Sequence, residues 1–269
     1  MSMIGFVGAG NMAEALIKGL ITADVYKCED IFASDIRIER LKFLSDQYKI
    51  PTTSDNAELA AKVDILVLSI KPQQMSEVLD SIKGVVKDGT LVISIAAGVK
   101  VEKIAAVLGD IAIVRVMPNT PALIGEGAAA LYSNKKAKPK INEALKIFSA
   151  VGKAVVVESE DLIDAVTAVS GSGPAYFFLL MEEMTKAAIE LGLPEGVAKD
   201  LVLQTAKGAA LLASERDEEG EAPAELRRKV TSPGGTTEAA LKVFAEGNFG
   251  PLVKAALKRA CGRSKELSG

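Results

Sequence analysis

The sequence predicts two domains of different class, an α/β domain over residues 1–159 and an all-α domain over residues 160–269. Apolar runs of strand length alternate with helical segments as far as Glu158, which is typical of a parallel sheet covered by helices. No strand-like run follows, and apolar residues then recur at helical spacing. With 269 residues, 49% of them hydrophobic, the chain is long enough for a core in each domain.

The composition excludes several kinds of chemistry. The chain contains no histidine, which excludes histidine-based triads, histidine metal ligands and acid–base catalysis by imidazole. Cys28 and Cys261, the two cysteines, show no metal-ligand spacing, so we expect free thiols in a reducing compartment and no bound metal. A net charge of −3 without a concentrated basic stripe argues against nucleic acid as a partner.

The distribution of apolar residues predicts a soluble, cytoplasmic protein. No basic region precedes the apolar run Met3–Val7, as a secretory signal would require. The best candidate for a membrane span, Ala175–Met181, is short and is followed by Glu182. We therefore expect no membrane as a partner.

The first motif combines a strand, a glycine turn and a helix. Met3–Val7 leads into Gly8 and Gly10, and apolar residues at helical spacing follow Ala13, which gives the pattern G-x-G-x-x-A. The first glycine permits the turn, the second lets a pyrophosphate approach the backbone, and the alanine packs the helix on the strand. This context favours a Rossmann-like dinucleotide-binding domain over an ordinary strand–helix connection.

The end of the second strand bears on the choice of cofactor. An acid at this position prefers the free 2′-hydroxyl of NADH, whereas serine and arginine prefer the 2′-phosphate of NADPH. The sequence carries both kinds, since Asp35 lies beside Ser34 and Arg37. The choice stays open at this point, and Arg37 favours NADPH, unless it is a solvated residue at the start of a helix.

Three later strands also end in small or polar residues. Ile65–Ile70 is followed by Lys71 and Pro72, and Leu91–Ile95 by Ala96–Gly98, where small side chains leave room for a flat ring. Ile113–Met117 is followed by a Pro-Asn-Thr-Pro segment. Ligands of open parallel sheets bind at the C-terminal edges of the strands, so these segments extend the predicted cofactor site.

The second domain is predicted to be helical and to dimerise. A long helix begins near Pro174, another covers Val197–Ala213, and a last one covers Leu252–Leu267, with Glu215–Glu221 as a solvated loop. Alanine- and leucine-rich stripes with few aromatic residues indicate burial against a second subunit, so we expect at least a homodimer.

A turn late in the chain is the best candidate for a substrate site. In Ser232–Thr237, two glycines follow a proline, and Thr236 or Thr237 is placed to cap the next helix. Unpaired amides at a helix N-terminus bind a small carboxylate without lysine or arginine. The alternative is an ordinary Pro-Gly loop.

Several segments closely resemble pyrroline-5-carboxylate reductase, over nearly the whole chain and in order. The most specific segments are Asp161–Thr167, Ser170–Tyr176 and Val230–Thr237. The strand ends match the same family in four segments: Gly8–Met12, Val67–Pro72, Ala96–Gly98 and Met117–Pro121.

The resemblance implies a reaction and its residues. NAD(P)H would reduce 1-pyrroline-5-carboxylate to L-proline, the last step of proline synthesis, at the interface of a homodimer that can assemble further into a ring of dimers. Thr237 would be catalytic, through a hydrogen bond to the ring nitrogen, and Glu160 would line the substrate pocket. The other implied substrate contacts are Ser232, Gly234, Gly235 and Thr236. The implied cofactor contacts are Gly8, Gly10, Asn11, Met12, Ser34, Asp35, Arg37, Asn56, Ser69, Ile70, Lys71, Pro72, Ala96, Ala97 and Gly98.

Three other functions are compatible with a dinucleotide-binding domain joined to a helical domain. A β-hydroxyacid dehydrogenase needs a lysine on the first long helix of its second domain, and the stretch Pro174–Met184 has none. A second alternative is a reductase of another cyclic imine, such as the six-membered ring homologue. The two substrates differ by as little as one methylene, and the sequence does not discriminate between pockets of such similar size. A catalytically silent, nucleotide-binding relative would not need both an intact glycine turn and an intact late turn.

Overall fold

The computed structural model describes residues 2–268 and divides into two compact units. The first unit comprises the chain up to Pro174 together with the segment from Lys258 onward. The second unit is Ala175–Leu257. The first unit contains all the strands of the described residues, and the second is helical.

The first unit is built on an eight-stranded sheet in the order β3-β2-β1-β4-β5-β6-β7-β8. All neighbouring strands are parallel except β6 and β7. The strands are β1 Ile4–Val7, β2 Ile31–Ser34, β3 Thr52–Thr53, β4 Ile65–Leu68, β5 Leu91–Ser94, β6 Ala112–Met117, β7 Gly127–Ser133 and β8 Gly152–Val156.

The pairing of β6 and β7 is the one antiparallel step among the described strands. The connection between them, residues 118–126, is shorter than the dozen or so residues that a parallel crossover needs. The chain therefore turns back at the C-terminal end of β6. Strand β8 then returns parallel to β7 through a helix.

Both faces of the sheet are covered by helices, which explains the continuous apolar runs in β1, β4 and β5. One face packs against α1, α2 and α6, and the other against α3, α4 and α5. These helices are α1 Asn11–Thr22, α2 Ile38–Tyr48, α3 Asn56–Ala60, α4 Met75–Ile82, α5 Val101–Leu108 and α6 Ile141–Ser149.

Six further helices complete the described chain. They are α7 Leu162–Val166, which continues into a π-helical turn at Thr167–Gly171, α8 Gly173–Glu190, α9 Glu195–Glu218, α10 Pro223–Lys229, α11 Thr236–Glu246 and α12 Phe249–Ser268. Helix α8 leaves large side chains such as Phe177 and Phe178 at least 60% exposed. The helical segment Leu162–Glu190 is long and apolar enough to span a membrane by length and composition alone, which is weak evidence for a membrane span.

The acidic segment is not the loop that the sequence predicted. Helix α9 continues to Glu218, and only the residues after it form a turn. Arg216 pairs with Glu219 at 2.5 Å. Arg216 also lies in the last turn of α9, where a positive charge stabilises the helix through its dipole. The chain then forms α10, a short helix that was not predicted from the sequence and that begins with a proline at its first position.

The C-terminal segment is fastened to the first unit by a buried hydrogen bond. The Ser264 hydroxyl donates to Asp164 Oδ1 at 2.6 Å, and both residues are at least 94% buried. This bond and the packing of residues 160–174 explain why the first compact unit includes segments that lie beyond residue 159. The domain bounds 1–159 and 160–269 stay a prediction.

Replacing Ser264 by alanine is expected to lower the free energy of unfolding by about 1–3 kcal/mol, because the Asp164 carboxylate loses its buried donor. Denaturant titration of the full chain measures this. Ser76→Ala is the matched control, since Ser76 is exposed in α4 and its side chain has no hydrogen-bond partner among residues 2–268. Equal stability of the two variants would contradict the prediction.

Candidate active site

A groove runs along the C-terminal edge of the sheet in the first unit. Its first part, a cleft of about 470 Å³, lies at the ends of β1, β2 and β4, where the strand order reverses direction. Its lining includes predicted cofactor residues, namely Gly8, Gly10, Asn11, Asp35, Arg37, Asn56, Ser69, Ile70 and Lys71. Val7, Ile36, Gln74 and Val78 also line it and were not predicted.

The glycine turn has the geometry that a dinucleotide requires. Gly8 has φ +97°, and a Cβ atom there would lie 2.4 Å from the Ser69 carbonyl oxygen. Around Gly10, no atom beyond its two chain neighbours lies within 4 Å of an ideal Cβ position, so space is free beside the N-terminus of α1. Free space over a helix N-terminus suits a pyrophosphate, and the residues present therefore fit a dinucleotide.

Asp35, at the end of β2, accepts hydrogen bonds from protein donors at both carboxylate oxygens. Its Oδ2 accepts hydrogen bonds from the Ala9 backbone N–H at 2.7 Å and from Arg37 Nη2 at 3.0 Å. Its Oδ1 accepts from the backbone N–H and Nε of Arg37. Burial raises the pKa of Asp35, but the hydrogen bonds from Arg37 and Ala9 outweigh it and hold the pKa below its ordinary value.

Two predicted cofactor residues do not line the groove. Ser34 is fully buried, and its hydroxyl donates to Asn56 Oδ1 at 2.8 Å, so it orients Asn56 at the rim. Gly98 lies further along the β5–α5 loop with φ +71°. Whether either residue contacts a cofactor directly stays a prediction.

The second part of the groove is a cleft of about 350 Å³ that continues from the first. The two clefts share Gly10, Asn11, Ser69, Ile70 and Lys71. The second cleft adds Met12, Pro72, Ile95, Ala96, Ala97, Met117 and Pro118. Among these, Ile95, Met117 and Pro118 were not predicted as cofactor contacts, although their places at the ends of β5 and β6 are the signal that could have found them. The small side chains of Ala96 and Ala97 leave room for a flat ring at this end.

The late turn lies in the second unit, and its geometry corrects one expectation. Helix α11 begins at Thr236 after Gly235, and neither Thr236 nor Thr237 caps it through a side chain. Instead, the Glu238 carboxylate accepts a hydrogen bond from the Gly234 backbone N–H at 2.7 Å. Gly234 has φ +72°, which allows the tight turn that the sequence predicted.

The turn still presents unpaired donors. The backbone N–H groups of Thr236, Thr237 and Glu238 have no acceptor among residues 2–268, and the Thr237 hydroxyl has no partner there. Ser232 is exposed beside them. A cleft of about 560 Å³ adjoins the turn and is lined by Thr231, Gly234, Gly235, Glu238, Ala239, Leu241 and Lys242. The N-terminus of α11 is therefore free to bind an anion.

The Glu160 carboxylate forms hydrogen bonds with Val101 and Arg115. Its Oε1 accepts hydrogen bonds from the Val101 backbone N–H at 2.8 Å and from Arg115 Nη1 at 3.0 Å. Its side chain is 20% exposed. Its place in the substrate pocket stays a prediction.

Comparison with known proteins gives consistent matches over the whole chain. Residues 160–267 match a family described as "Pyrroline-5-carboxylate reductase dimerisation", and residues 3–98 match "NADP oxidoreductase coenzyme F420-dependent". A pyrroline-5-carboxylate reductase of Pseudomonas aeruginosa is 48% identical, over 98% of this chain and 96% of the relative. The chain belongs to the pyrroline-5-carboxylate reductase family.

Solved structures agree. A pyrroline-5-carboxylate reductase from Coxiella burnetii is 42% identical with a TM-score of 0.94, covering 100% of this chain and 99% of that one. A pyrroline carboxylate reductase from Plasmodium falciparum, solved with NADP bound, is 32% identical with a TM-score of 0.86, covering 100% and 98%. The predicted family, fold class and oxidoreductase activity are confirmed.

Proposed function

We propose that this chain reduces 1-pyrroline-5-carboxylate to L-proline with NADPH as the preferred hydride donor. The observation that carries the proposal is the groove from Asp35 and Arg37 to Ala96 and Ala97 in a chain of this family. When bound, the nicotinamide supplies the hydride, which adds to the imine carbon while the ring nitrogen holds a proton. A protonated imine is already electrophilic, so the chain needs neither a metal nor a strong acid.

We assign separate groups of residues to the cofactor and to the substrate. We assign the adenosine half of the cofactor to Asp35, Arg37 and Asn56, and the nicotinamide to the end lined by Ala96 and Ala97. The turn Ser232–Thr237 would bind the substrate carboxylate through the free N–H groups at the start of α11. The Thr237 hydroxyl would hydrogen-bond the ring nitrogen and orient the imine for transfer.

The preference for NADPH rests on the hydrogen bonds that Asp35 accepts from the protein. Both carboxylate oxygens already accept two hydrogen bonds each, which leaves little capacity for a ribose 2′-hydroxyl. Arg37 is fixed by Asp35 at the rim with its side chain 50% exposed, where its guanidinium is available to a 2′-phosphate.

Replacing Arg37 by alanine is expected to raise the KM for NADPH about tenfold to a hundredfold and to leave the KM for NADH nearly unchanged, because a charge-assisted phosphate contact is lost. Initial rates with each cofactor measure this. Lys42→Ala is the matched control, since it removes an exposed positive charge from α2, the helix that Arg37 precedes, and Lys42 does not line the groove. An equal effect on both cofactors would contradict the assignment.

We further propose a homodimer formed through domain 160–269, with a ring of dimers as a further assembly, and a cytoplasmic enzyme without membrane, nucleic acid or metal partners. The dimerisation family match and the exposed apolar side chains of α8 support the dimer. Burial against a second subunit also accounts for the apolar composition of Leu162–Glu190. Light scattering of the purified chain tests the assembly.

The deciding experiment is the initial rate of NADPH and NADH oxidation with 1-pyrroline-5-carboxylate. Fast turnover supports the proposal, and the ratio of the two rates tests the cofactor preference. Turnover only with the six-membered ring homologue would favour the other cyclic-imine reductase. NADPH binding by folded protein without any turnover would favour the catalytically silent relative.

A further inference from the structure

The β5–α5 loop, residues 95–100, is held in position mainly by residues outside it. Ala96 and Ala97 of this loop line the end of the groove that is assigned to the nicotinamide. The hydrogen bonds local to the loop are long, with 3.4 Å from the Val99 N–H to the Ala96 carbonyl and 3.4 Å from the Ala96 N–H to the Ser94 hydroxyl. The position of the loop therefore depends on its anchors.

Glu160 anchors the end of the loop. Its Oε1 accepts a hydrogen bond from the backbone N–H of Val101, the first residue of α5, at 2.8 Å. The side chain of Lys100, which precedes the helix, does not cap it. A carboxylate that is 59 residues away along the chain thus satisfies one free donor of this helix and lies where the helix dipole favours a negative charge.

Arg115 fixes the Glu160 carboxylate. Arg115 lies on β6 directly opposite Ser94, the last residue of β5, and its Nη1 is 3.0 Å from the same Oε1 atom. Its side chain is only 3% exposed, so the guanidinium requires a counter-charge at this place. The beginning and the end of the loop are consequently connected through one ion pair.

A second contact supports the loop from another side. A Cβ atom on Gly98 would lie 3.1 Å from the Leu267 carbonyl oxygen, so the C-terminal segment approaches the loop closely. That segment is held by the buried hydrogen bond between Ser264 and Asp164. The loop therefore has little room to move toward the C-terminal segment.

We propose that Glu160 and Arg115 are positioning residues for hydride transfer, which hold the β5–α5 loop against the nicotinamide end of the groove. The proposal rests on the proposed function and gives Glu160 a role distinct from lining the substrate pocket. The two residues act through the loop, by way of the Val101 N–H and the strand that carries Ser94. Misplacement of a reacting ring by about 1 Å can lower a rate about a hundredfold.

Two variants test the proposal in the full chain. Glu160→Gln keeps an acceptor for Val101 and removes the charge. The double variant Glu160→Ala with Arg115→Met removes both the acceptor and the buried charge, so that no guanidinium is left unpaired. The double variant is expected to lower kcat about tenfold to a hundredfold. Its primary deuterium isotope effect with 4-deuterated NADPH should rise, and Glu160→Gln should show a smaller change in the same direction.

Binding measurements separate positioning from a general loss of structure. Affinity for 2′,5′-ADP, which contains only the adenosine end, should be unchanged in both variants, whereas affinity for NADPH should fall. The control is Asp110→Asn, which removes an exposed carboxylate paired with Lys136 near the opposite end of α5. It should match the wild type in every readout.

Three results would overturn the proposal. They are unchanged kcat and isotope effect in the folded double variant, an equal loss of affinity for 2′,5′-ADP and NADPH, and a failure of both variants to fold. Absence of turnover in the wild type contradicts the proposed function instead. In that case, selective loss of NADPH binding in the variants still supports the anchoring of the loop.

Discussion

Replacing Thr237 by valine is expected to lower kcat/KM for 1-pyrroline-5-carboxylate by about ten- to a thousandfold. Valine has nearly the shape of threonine, so the variant removes the hydroxyl and little else. In the structure this hydroxyl has no partner among residues 2–268 and does not cap α11. Its loss therefore leaves the hydrogen bonds of the described chain intact and removes the proposed contact to the ring nitrogen. Initial rates of NADPH oxidation measure the effect.

The control for this prediction is Thr237→Ser, which keeps the hydroxyl and loses only a methyl group. We expect it to retain most of the activity. Near-normal turnover by Thr237→Val would show that the hydroxyl takes no part in the reaction. A lowered melting temperature at an unchanged rate would instead indicate a role at the helix terminus, worth on the order of 1 kcal/mol.

Replacing Gly8 by alanine is expected to abolish cofactor binding and to destabilise the fold. The new Cβ atom would lie 2.4 Å from the Ser69 carbonyl oxygen and 2.9 Å from Ile70 Cγ2, in a backbone conformation with φ +97°. Relief of this overlap requires the ends of β1 and β4 to separate. A strained backbone alone costs of the order of 1–3 kcal/mol. Thermal unfolding and NADPH titration of the variant measure both effects.

The neighbouring Gly10 provides a matched comparison. Its φ of −76° suits any residue, and an added Cβ atom would meet nothing within 4 Å. Gly10→Ala is therefore expected to unfold at the wild-type temperature, while its methyl group obstructs the pyrophosphate and raises the Kd for NADPH at least about tenfold. Normal NADPH affinity of this variant would show that the cofactor phosphates do not bind at the glycine turn.

Much of the groove could be predicted because its signals are local. The order strand, Gly8, Gly10, helix fixes a tight turn at a helix N-terminus, and the ends of parallel strands meet at one edge of the sheet. Residues at strand ends such as Asp35, Ser69 and Ala96 therefore line the groove as expected.

Contacts between distant segments could not be predicted in this way. The side chain of Ser34 at the end of β2 is buried and donates to Asn56, a contact that its place in the sequence does not indicate. The capping of α11 was assigned to a threonine, but no side chain caps this helix, and the Glu238 carboxylate accepts a hydrogen bond from the Gly234 N–H in the turn before it. Each outcome depends on the direction of a side chain in the folded chain.

The sequence by itself determined the alternation of strands and helices in the first part of the chain, the glycine turn, the edge of the sheet that carries the groove and the family of the chain. These properties follow from spacing along a few consecutive residues. Only the tertiary structure decided that Arg37 neutralises Asp35, that Glu160 joins Arg115 to the first turn of α5, and that the C-terminal segment reaches Asp164. The last two contacts join residues 45 to 100 positions apart, and a hydrogen bond over such a separation exists only once the chain has packed.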